Sequence, residues 1–271
     1  MNATALLSEL LLDGRRARPA GEGIWSVLPA NTLGQRYDRR AAMYDRVVGS
    51  AIYNRLLWGS SPRSYSAFAQ QAMRSASGPL LDAGSGSLVF TAEIYARTER
   101  PLVLVDQSIG MLEAARARLL RVAGRVPDGV VLLQGDLRDI PFRPGSFATV
   151  LCMGMLHLFE DVSGVVLELV RVAAPGGQLF LTSLVAERTI GKHYLALLHR
   201  AGEVARPRTQ AQLLADLRGM GSVSLEPIRA EPEGSMTFVV ASNAAQQALA
   251  GDEGRGMLSE WRQDSRGAPR S

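Results

Sequence analysis

Cysteine is nearly missing from this chain: among 271 residues only Cys152 carries a thiol. A single thiol excludes an intrachain disulfide and any metal site built from several cysteines. The three histidines, His157, His193 and His199, stand in no zinc-binding spacing with it. A reducing, cytoplasmic setting is the expectation. Lysine is equally scarce, with Lys192 alone, so the formal net charge of +4 and the isoelectric point near 9.6 rest on arginine. Those arginines are spread along the chain, which predicts a solvated basic surface and no nucleic-acid stripe. No apolar run is long enough to span a membrane. The N-terminal run from Ala5 to Leu12 is interrupted by Glu9 and has no basic segment before it, which predicts an amphipathic helix and not a secretion signal. A hydrophobic fraction of 46% and a mean hydropathy of +0.03 suit a globular chain with one sizeable core.

What is present is an alternation of helical and strand patterns. After the first helix comes an Arg/Pro/Gly-rich stretch, Gly14-Arg15-Arg16-Ala17-Arg18-Pro19, which reads as a linker. Helical spacing runs from Tyr37 to about Met73, through Ala41, Tyr44, Val48, Tyr65 and Phe68. Strands are expected at Leu80–Asp82, Pro101–Asp106, Val130–Asp136, Phe147–Cys152 and Gln178–Ser183, with helices between them. A helix from Val162 to Val172 should stop before Pro175-Gly176-Gly177. Another helical stretch is expected over 190–219. Two further strands, Val223–Ile228 and Met236–Ala241, are placed as a hairpin across Glu231-Pro232-Glu233-Gly234. The pattern predicts an α/β fold: a doubly wound, Rossmann-like sheet, mostly parallel, with a C-terminal antiparallel hairpin and N-terminal helices. The expected divisions are an N-terminal helix and linker over 1–36, one domain over 37–241, and a polar tail over 242–271.

The chemistry gathers at the strand ends. Leu80-Leu81-Asp82-Ala83-Gly84-Ser85-Gly86 reads as a buried strand ending in an acid and entering a glycine turn before a helix-compatible segment, Phe90–Tyr95. Such a strand–turn–helix junction aims backbone N–H groups at an anionic or strongly polar ligand. Asp106 follows the turn by about 20 residues, the spacing at which a carboxylate accepts both ribose hydroxyls. Asp136 ends the third strand, where it can accept from an adenine amino group, and Leu137 beside it can lie against the ring. Three acids at the rims of buried strands are costly unless they meet partners. This arrangement suits a nicotinamide dinucleotide or S-adenosylmethionine. The turn lacks the later glycine of the dinucleotide fingerprint, which favours the second.

At these residues the chain resembles the class I S-adenosylmethionine-dependent methyltransferases, nearest to those of ubiquinone and menaquinone biosynthesis. The resemblance runs over roughly residues 37 to 241. It is carried by Tyr37 to Asp45, Leu81 to Gly86, Val105-Asp106-Gln107-Ser108 with Met111-Leu112, and Gly135-Asp136-Leu137. Asp139-Ile140-Pro141-Phe142, Gly145-Ser146-Phe147, Leu156-His157 and Arg171 to Gly177 complete it. It implies S-adenosylmethionine as cofactor, with Gly84, Ser85 and Gly86 under its methionine and ribose portion and Asp82 near its amino group. It further implies Asp106 on the ribose, Gln107 and Met111 flanking the adenine, and Asp136 and Leu137 on the opposite edge of the ring. Cys152 and Met153 would lie beside the methionine portion, and Tyr44 would close over the cofactor. Two residues depart from the pattern. Leu88 stands where a third glycine is usual, and Ala148 replaces an acid after Phe147.

Each assignment has a plainer counterpart. His157 is either a base for a substrate proton or a structural histidine at a helix start. Cys152 reads as a small buried wall residue, since nothing near it in sequence lowers its pKa. Lys192, His193 and Tyr194 either line an acceptor pocket or form a solvated helix face. The expected activity is methyl transfer to a small-molecule acceptor, with no metal, no nucleic acid and no membrane span. The alternatives are a non-catalytic S-adenosylmethionine sensor and, less favoured, an RNA or protein methyltransferase.

Overall fold

The computed structural model describes residues 3–29, 58–220, 225 and 229–244. Among these, nine strands form one sheet. Helix α1 (Ala3–Leu10) leads into a hairpin of β1 (Arg18–Gly21) and β2 (Ile24–Ser26). After α2 (Pro62–Arg74) come β3 (Leu80–Ala83), the short α3 (Ala92–Tyr95), β4 (Leu102–Asp106), α4 (Ile109–Ala123) and β5 (Val130–Gln134). Then follow β6 (Phe147–Cys152), α5 (Val162–Val172), β7 (Ala173–Leu184), α6 (Thr189–Arg200) and α7 (Gln210–Arg218). The hairpin β8 (Arg229–Glu233) and β9 (Met236–Ser242) closes the described fold. The strand order is β1-β2-β5-β4-β3-β6-β7-β9-β8. The run from β2 to β7 is parallel, and β1, β9 and β8 are antiparallel to their neighbours.

Alternation along the strands builds two cores, one per face of the sheet. Leu81, Val103, Val105, Val131, Leu133 and Val150 join α1, α5 and α7 on one face. Leu80, Leu102, Leu104, Val130, Leu132 and Leu151 meet α2, α3, α4 and α6 on the other. That double coverage is why β3, β4 and β5 read as unbroken apolar runs. Local signals set the helix ends. Ser108 Oγ accepts from Met111 N at 3.2 Å to start α4, and Gly124, at φ 73°, stops it. Thr209 and Gln212 form a reciprocal capping box that opens α7.

Several expectations need correction. Arg18 and Pro19, read as linker, lie in β1, whose partner β2 pairs in parallel with β5. The strand is short and its residues largely exposed, so periodicity could not reveal it. β7 begins at Ala173, not at Gln178, and carries Pro175-Gly176-Gly177 within it as an irregularity beside β6. The helical stretch over 190–219 is two helices, broken where Gly202 takes φ 70°. The C-terminal hairpin turns at Gly234, with Glu231, Pro232 and Glu233 inside β8. Proline is tolerated there because β8 is an edge strand. Of the strand expected over Val223–Ile228, only Leu225 is described, and it bridges Asn243. Tyr37, Ala41, Tyr44 and Val48 lie outside the described residues, whereas Tyr65 and Phe68 are buried on α2 as the spacing requires.

Arg100 pins the end of the sheet remote from the acids. Its Nε donates to Gly78 O at 2.5 Å, Nη1 to Ala72 O and Met73 O at 3.1 Å each, and Nη2 to Thr149 Oγ1 at 2.8 Å. The guanidinium thereby joins Ser75, whose N and Oγ donate to Ala72 O, in capping the end of α2. Arg100→Met is expected to lower stability by about 1–3 kcal/mol, because Gly78 O and Met73 O lose their guanidinium donor, while Ser75 still bonds Ala72 O and Thr149 Oγ1. Urea unfolding measures it, and a loss under about 0.5 kcal/mol would contradict the role.

Candidate functional site

The strand order reverses between β3 and β6, so a crevice opens at the carboxyl ends of the strands there. Asp82 sits on β3 in that crevice, 2% exposed, with its Oδ2 accepting from Tyr95 Oη at 2.7 Å. Burial pushes its carboxyl up to about 7; the Tyr95 hydrogen bond opposes the rise and the charge of Asp106 adds to it. The chain then leaves β3 through Gly84 and Gly86, at φ 80° and 56°. The amides of Gly84 and Ser85 donate to Val105 O at 2.8 and 3.0 Å. A Cβ on Gly86 would meet nothing within 4 Å, so open space lies beside the turn. A Cβ on Gly84 would stand 2.5 Å from Met155 Cγ, so the Met155 side chain lies across the turn.

Asp106, at the end of β4, faces the same turn. Its Oδ2 accepts from Gly86 N and its Oδ1 from Ser108 N, both at 2.9 Å. One carboxylate thus ties the glycine turn to the start of α4. Gln107 beside it is exposed and Met111 is buried at 5%.

Asp136 follows β5 at the third rim position. Arg138 embraces it: the backbone N and Nε donate to Oδ1 at 2.9 and 3.0 Å, and Nη2 donates to Oδ2 at 2.7 Å. Partial burial works to raise the Asp136 pKa, but the hydrogen bonds and charge of Arg138 outweigh it and hold the carboxyl below its usual range. Leu137 is 6% exposed and packs in the core, so its side chain is spent on packing.

At the end of β6, Cys152 is fully buried, its thiol pushed well up by burial and by the charge of Asp82. That makes it a wall residue and not a nucleophile. Met153 is half-buried against the second core. His157 is the middle residue of a short 3-10 turn, Leu156–Leu158, with its Nδ1 accepting from Leu184 N at 3.5 Å and its carbonyl accepting from Ala205 N at 3.0 Å. Burial lowers its pKa to about 4, so the ring is neutral at pH 7 and a weak base. Lys192 and His193 are exposed on α6, and Tyr194 packs its ring against Trp58 at 5.5 Å.

The two departures from the motif separate in space. Ala148 lies at the start of β6, its N donating to Pro79 O, at the opposite end of the sheet from the glycine turn. Leu88 is in the turn itself and is the one non-glycine residue with positive φ, 61°, among the described residues. Its side chain is 1% exposed in the core that holds Tyr95 and Leu112. Apolar burial therefore holds a leucine in a conformation that costs about 1–2 kcal/mol. Leu88→Gly is accordingly expected to be less destabilising than Leu88→Ala by about 1 kcal/mol, since both lose the packing but only glycine relieves the backbone. Thermal melts of the two variants test this, and the reverse order would refute it.

Comparison with known proteins bears on this arrangement. A family described as a methyltransferase domain matches residues 81–181, the span from Asp82's strand through β7. The demethylmenaquinone methyltransferase of Parafrankia sp. is 30% identical over 187 residues, covering 62% of this chain and 72% of that protein. The chain belongs to the class I S-adenosylmethionine-dependent methyltransferases. The ubiquinone biosynthesis O-methyltransferase of Xanthomonas euvesicatoria is 29% identical over 153 residues, 52% of this chain and 61% of its own. With other demethylmenaquinone methyltransferases, too, the match spans about three fifths of the relative's length. The crystal structure of the cyclase SpnF superposes with a TM-score of 0.60 at 17% identity, covering 78% of this chain and 94% of that one, which is a likeness of fold.

The residues present fit the family's cofactor. Ser85 Oγ is buried in the glycine turn without a hydrogen-bond partner, a donor left for a ligand. Asp82 is a buried carboxylate with no cation beside it among the described residues, as a site for an ammonium or sulfonium group requires. Two contributors escaped the motif. Tyr95 holds Asp82 from α3, and its signal was an aromatic on the buried face of that helix. Met155 covers Gly84, and only the tertiary fold brings them together. A groove of about 420 Å³ beside Arg63, Gln70 and Phe90 shares no residue with the acidic rim. Among the described residues no group of three or more potential metal ligands occurs, and no helix is long and apolar enough to cross a membrane.

Proposed function

We propose that this chain transfers a methyl group from S-adenosylmethionine to a small-molecule acceptor, of the quinol or phenol class. The observation that carries the reading is the joint placement of Asp82, the Gly84–Gly86 turn and Asp106 at the carboxyl ends of two adjacent parallel strands, with Asp136 on the third. When bound, the cofactor supplies an already electrophilic methyl group. Asp82 would hold the amino group, Ser85 and Gly86 the turn-side polar atoms, Asp106 the ribose hydroxyls, and Asp136 and Gln107 the base. The chain's own tasks are then to orient the acceptor and exclude water. Met155 and Met153 supply apolar cover beside the turn. The name of the ubiquinone biosynthesis O-methyltransferase supports an oxygen acceptor and that of the demethylmenaquinone methyltransferase a quinone-like one, and the single cysteine suits a cytoplasmic setting.

A neutral, half-buried His157 with its pKa lowered to about 4 favours an acceptor that sheds its proton easily, because proton abstraction by this ring has little driving force at pH 7. The same observation keeps a second reading in view, a sensor that binds the cofactor without turnover. Calorimetry with S-adenosylhomocysteine, followed by a turnover panel of quinols, phenols and amines, separates them. Absence of binding would refute both readings. Binding without S-adenosylhomocysteine production from any acceptor would leave the sensor.

A further inference from the structure

The N-terminal hairpin touches the site through one buried amide. Gln134 ends β5 and is 8% exposed, yet both ends of its side chain are engaged outside its own strand. Its Oε1 accepts from Ser26 Oγ at 2.9 Å, and its Nε2 donates to Gln107 O at 3.1 Å. Ser26 is fully buried at the end of β2 and stands in register with Gln134, whose carbonyl accepts from Val27 N at 3.1 Å. On the other side, Asp106 is the register partner of Gln134, and Asp106 O accepts from Gly135 N at 3.1 Å.

The same N-terminal segment grips the loop that follows Asp136. Arg15 Nη2 donates to both oxygens of Asp139 at 2.6 Å. Leu12 N donates to Pro141 O at 2.9 Å, and Arg143 N to Leu10 O at 3.0 Å. Both walls of the base-binding edge, Gln107 on one side and the loop after Asp136 on the other, are therefore braced by residues 10–28. A buried polar bridge of this kind is costly unless fully satisfied, and when satisfied it fixes one arrangement.

We propose that the β1–β2 hairpin is a working part of the cofactor site, in which Ser26 and Gln134 are positioning residues that set Gln107 against the adenine. The inference rests on the cofactor reading of the site. Without its amide, residue 134 releases the Gln107 carbonyl and leaves the Ser26 hydroxyl to Leu28 alone, whose N donates to it at 3.2 Å, so the wall beside the base loses its tie to the hairpin.

The test is calorimetric binding of S-adenosylhomocysteine and of S-inosylhomocysteine, which carries an oxo group in place of the adenine amino group. Wild type, Gln134→Met and Ser26→Ala are compared, with melting curves for each. Gln134→Met is expected to weaken S-adenosylhomocysteine binding about tenfold and Ser26→Ala about threefold, the worth of one or two buried hydrogen bonds. Both should narrow the preference for the adenine compound, a change that general loosening of the fold would not produce. Wild-type affinity and preference in a folded Gln134→Met would overturn the proposal. If that variant does not fold, Ser26→Ala decides on the same criterion. A wild-type protein that binds neither compound would instead refute the cofactor reading, and this proposal with it.

Discussion

Asp82→Asn is expected to weaken S-adenosylhomocysteine binding by about 30-fold or more while raising the melting temperature at pH 8. Both effects follow from one buried carboxylate. Asp82 lies between β4 and β6, 2% exposed, and burial brings its carboxyl to about 7. The folded protein therefore holds the Asp82 proton more tightly than the unfolded chain does. This contribution to stability is complete below pH ~4, the unfolded pKa, and is lost as pH rises through 7. The loss is about 4 kcal/mol at most, on the scale of 1.4 kcal/mol per unit of pKa. Asparagine keeps the shape and cannot ionise, so the variant lacks this fall and keeps only the rise between about pH 4 and 6.5 that His157, its pKa lowered to about 4, gives both proteins. A ligand ammonium group would favour the ionised form, so wild-type binding near pH 6.5 should release a proton, visible as heats that differ between buffers. Asp82→Asn should show no such release. A wild type whose stability relative to Asp82→Asn does not fall from pH 5 to pH 8, or unaltered binding in the variant, would contradict the assignment.

Asp106→Ala should be equally damaging to binding, by about 100-fold, for a structural and a chemical reason at once. Its carboxylate accepts the amides of Gly86 and Ser108 at 2.9 Å each, so it closes the glycine turn onto α4. Removing it strands two donors and costs about 2–4 kcal/mol of stability. In the proposed site it also removes the acceptor for the ribose. Asp106→Asn retains one acceptor oxygen and should fall between wild type and alanine in both readouts. Titration with S-adenosylhomocysteine and urea unfolding measure the pair of effects. Binding within threefold of wild type for the alanine variant would exclude Asp106 from the site.

The parallel strands and their terminal acids were legible because they are local. Each is a continuous apolar run, which only a strand covered on both faces needs, followed at once by Asp82, Asp106 or Asp136. Helix α5, Val162–Val172, was legible for the same reason, from its periodic valines and the Pro-Gly-Gly beyond. The hairpin β1–β2 was not, because its strands are only four and three residues long, β1 is largely exposed, and pairing with β5 is what makes them part of the sheet. Leu88 looked like a weakness in the motif. The fold shows a leucine whose buried side chain outweighs its backbone strain.

The division follows the range of the forces involved. Periodic burial, caps and turn glycines act over a few residues, so the sequence alone determined the α/β alternation, the glycine turn and the rim of acids. Asp136 finds its partner two residues on, in Arg138, but other contacts of the site come from other elements: Tyr95 for Asp82, Gly86 for Asp106, Ser26 for Gln134, Met155 for Gly84. Whether a carboxylate sits near its ordinary pKa or at about 7 depends on what surrounds it in three dimensions. Only the tertiary structure decided that, because desolvation and hydrogen-bond geometry belong to the packed site and not to any stretch of residues.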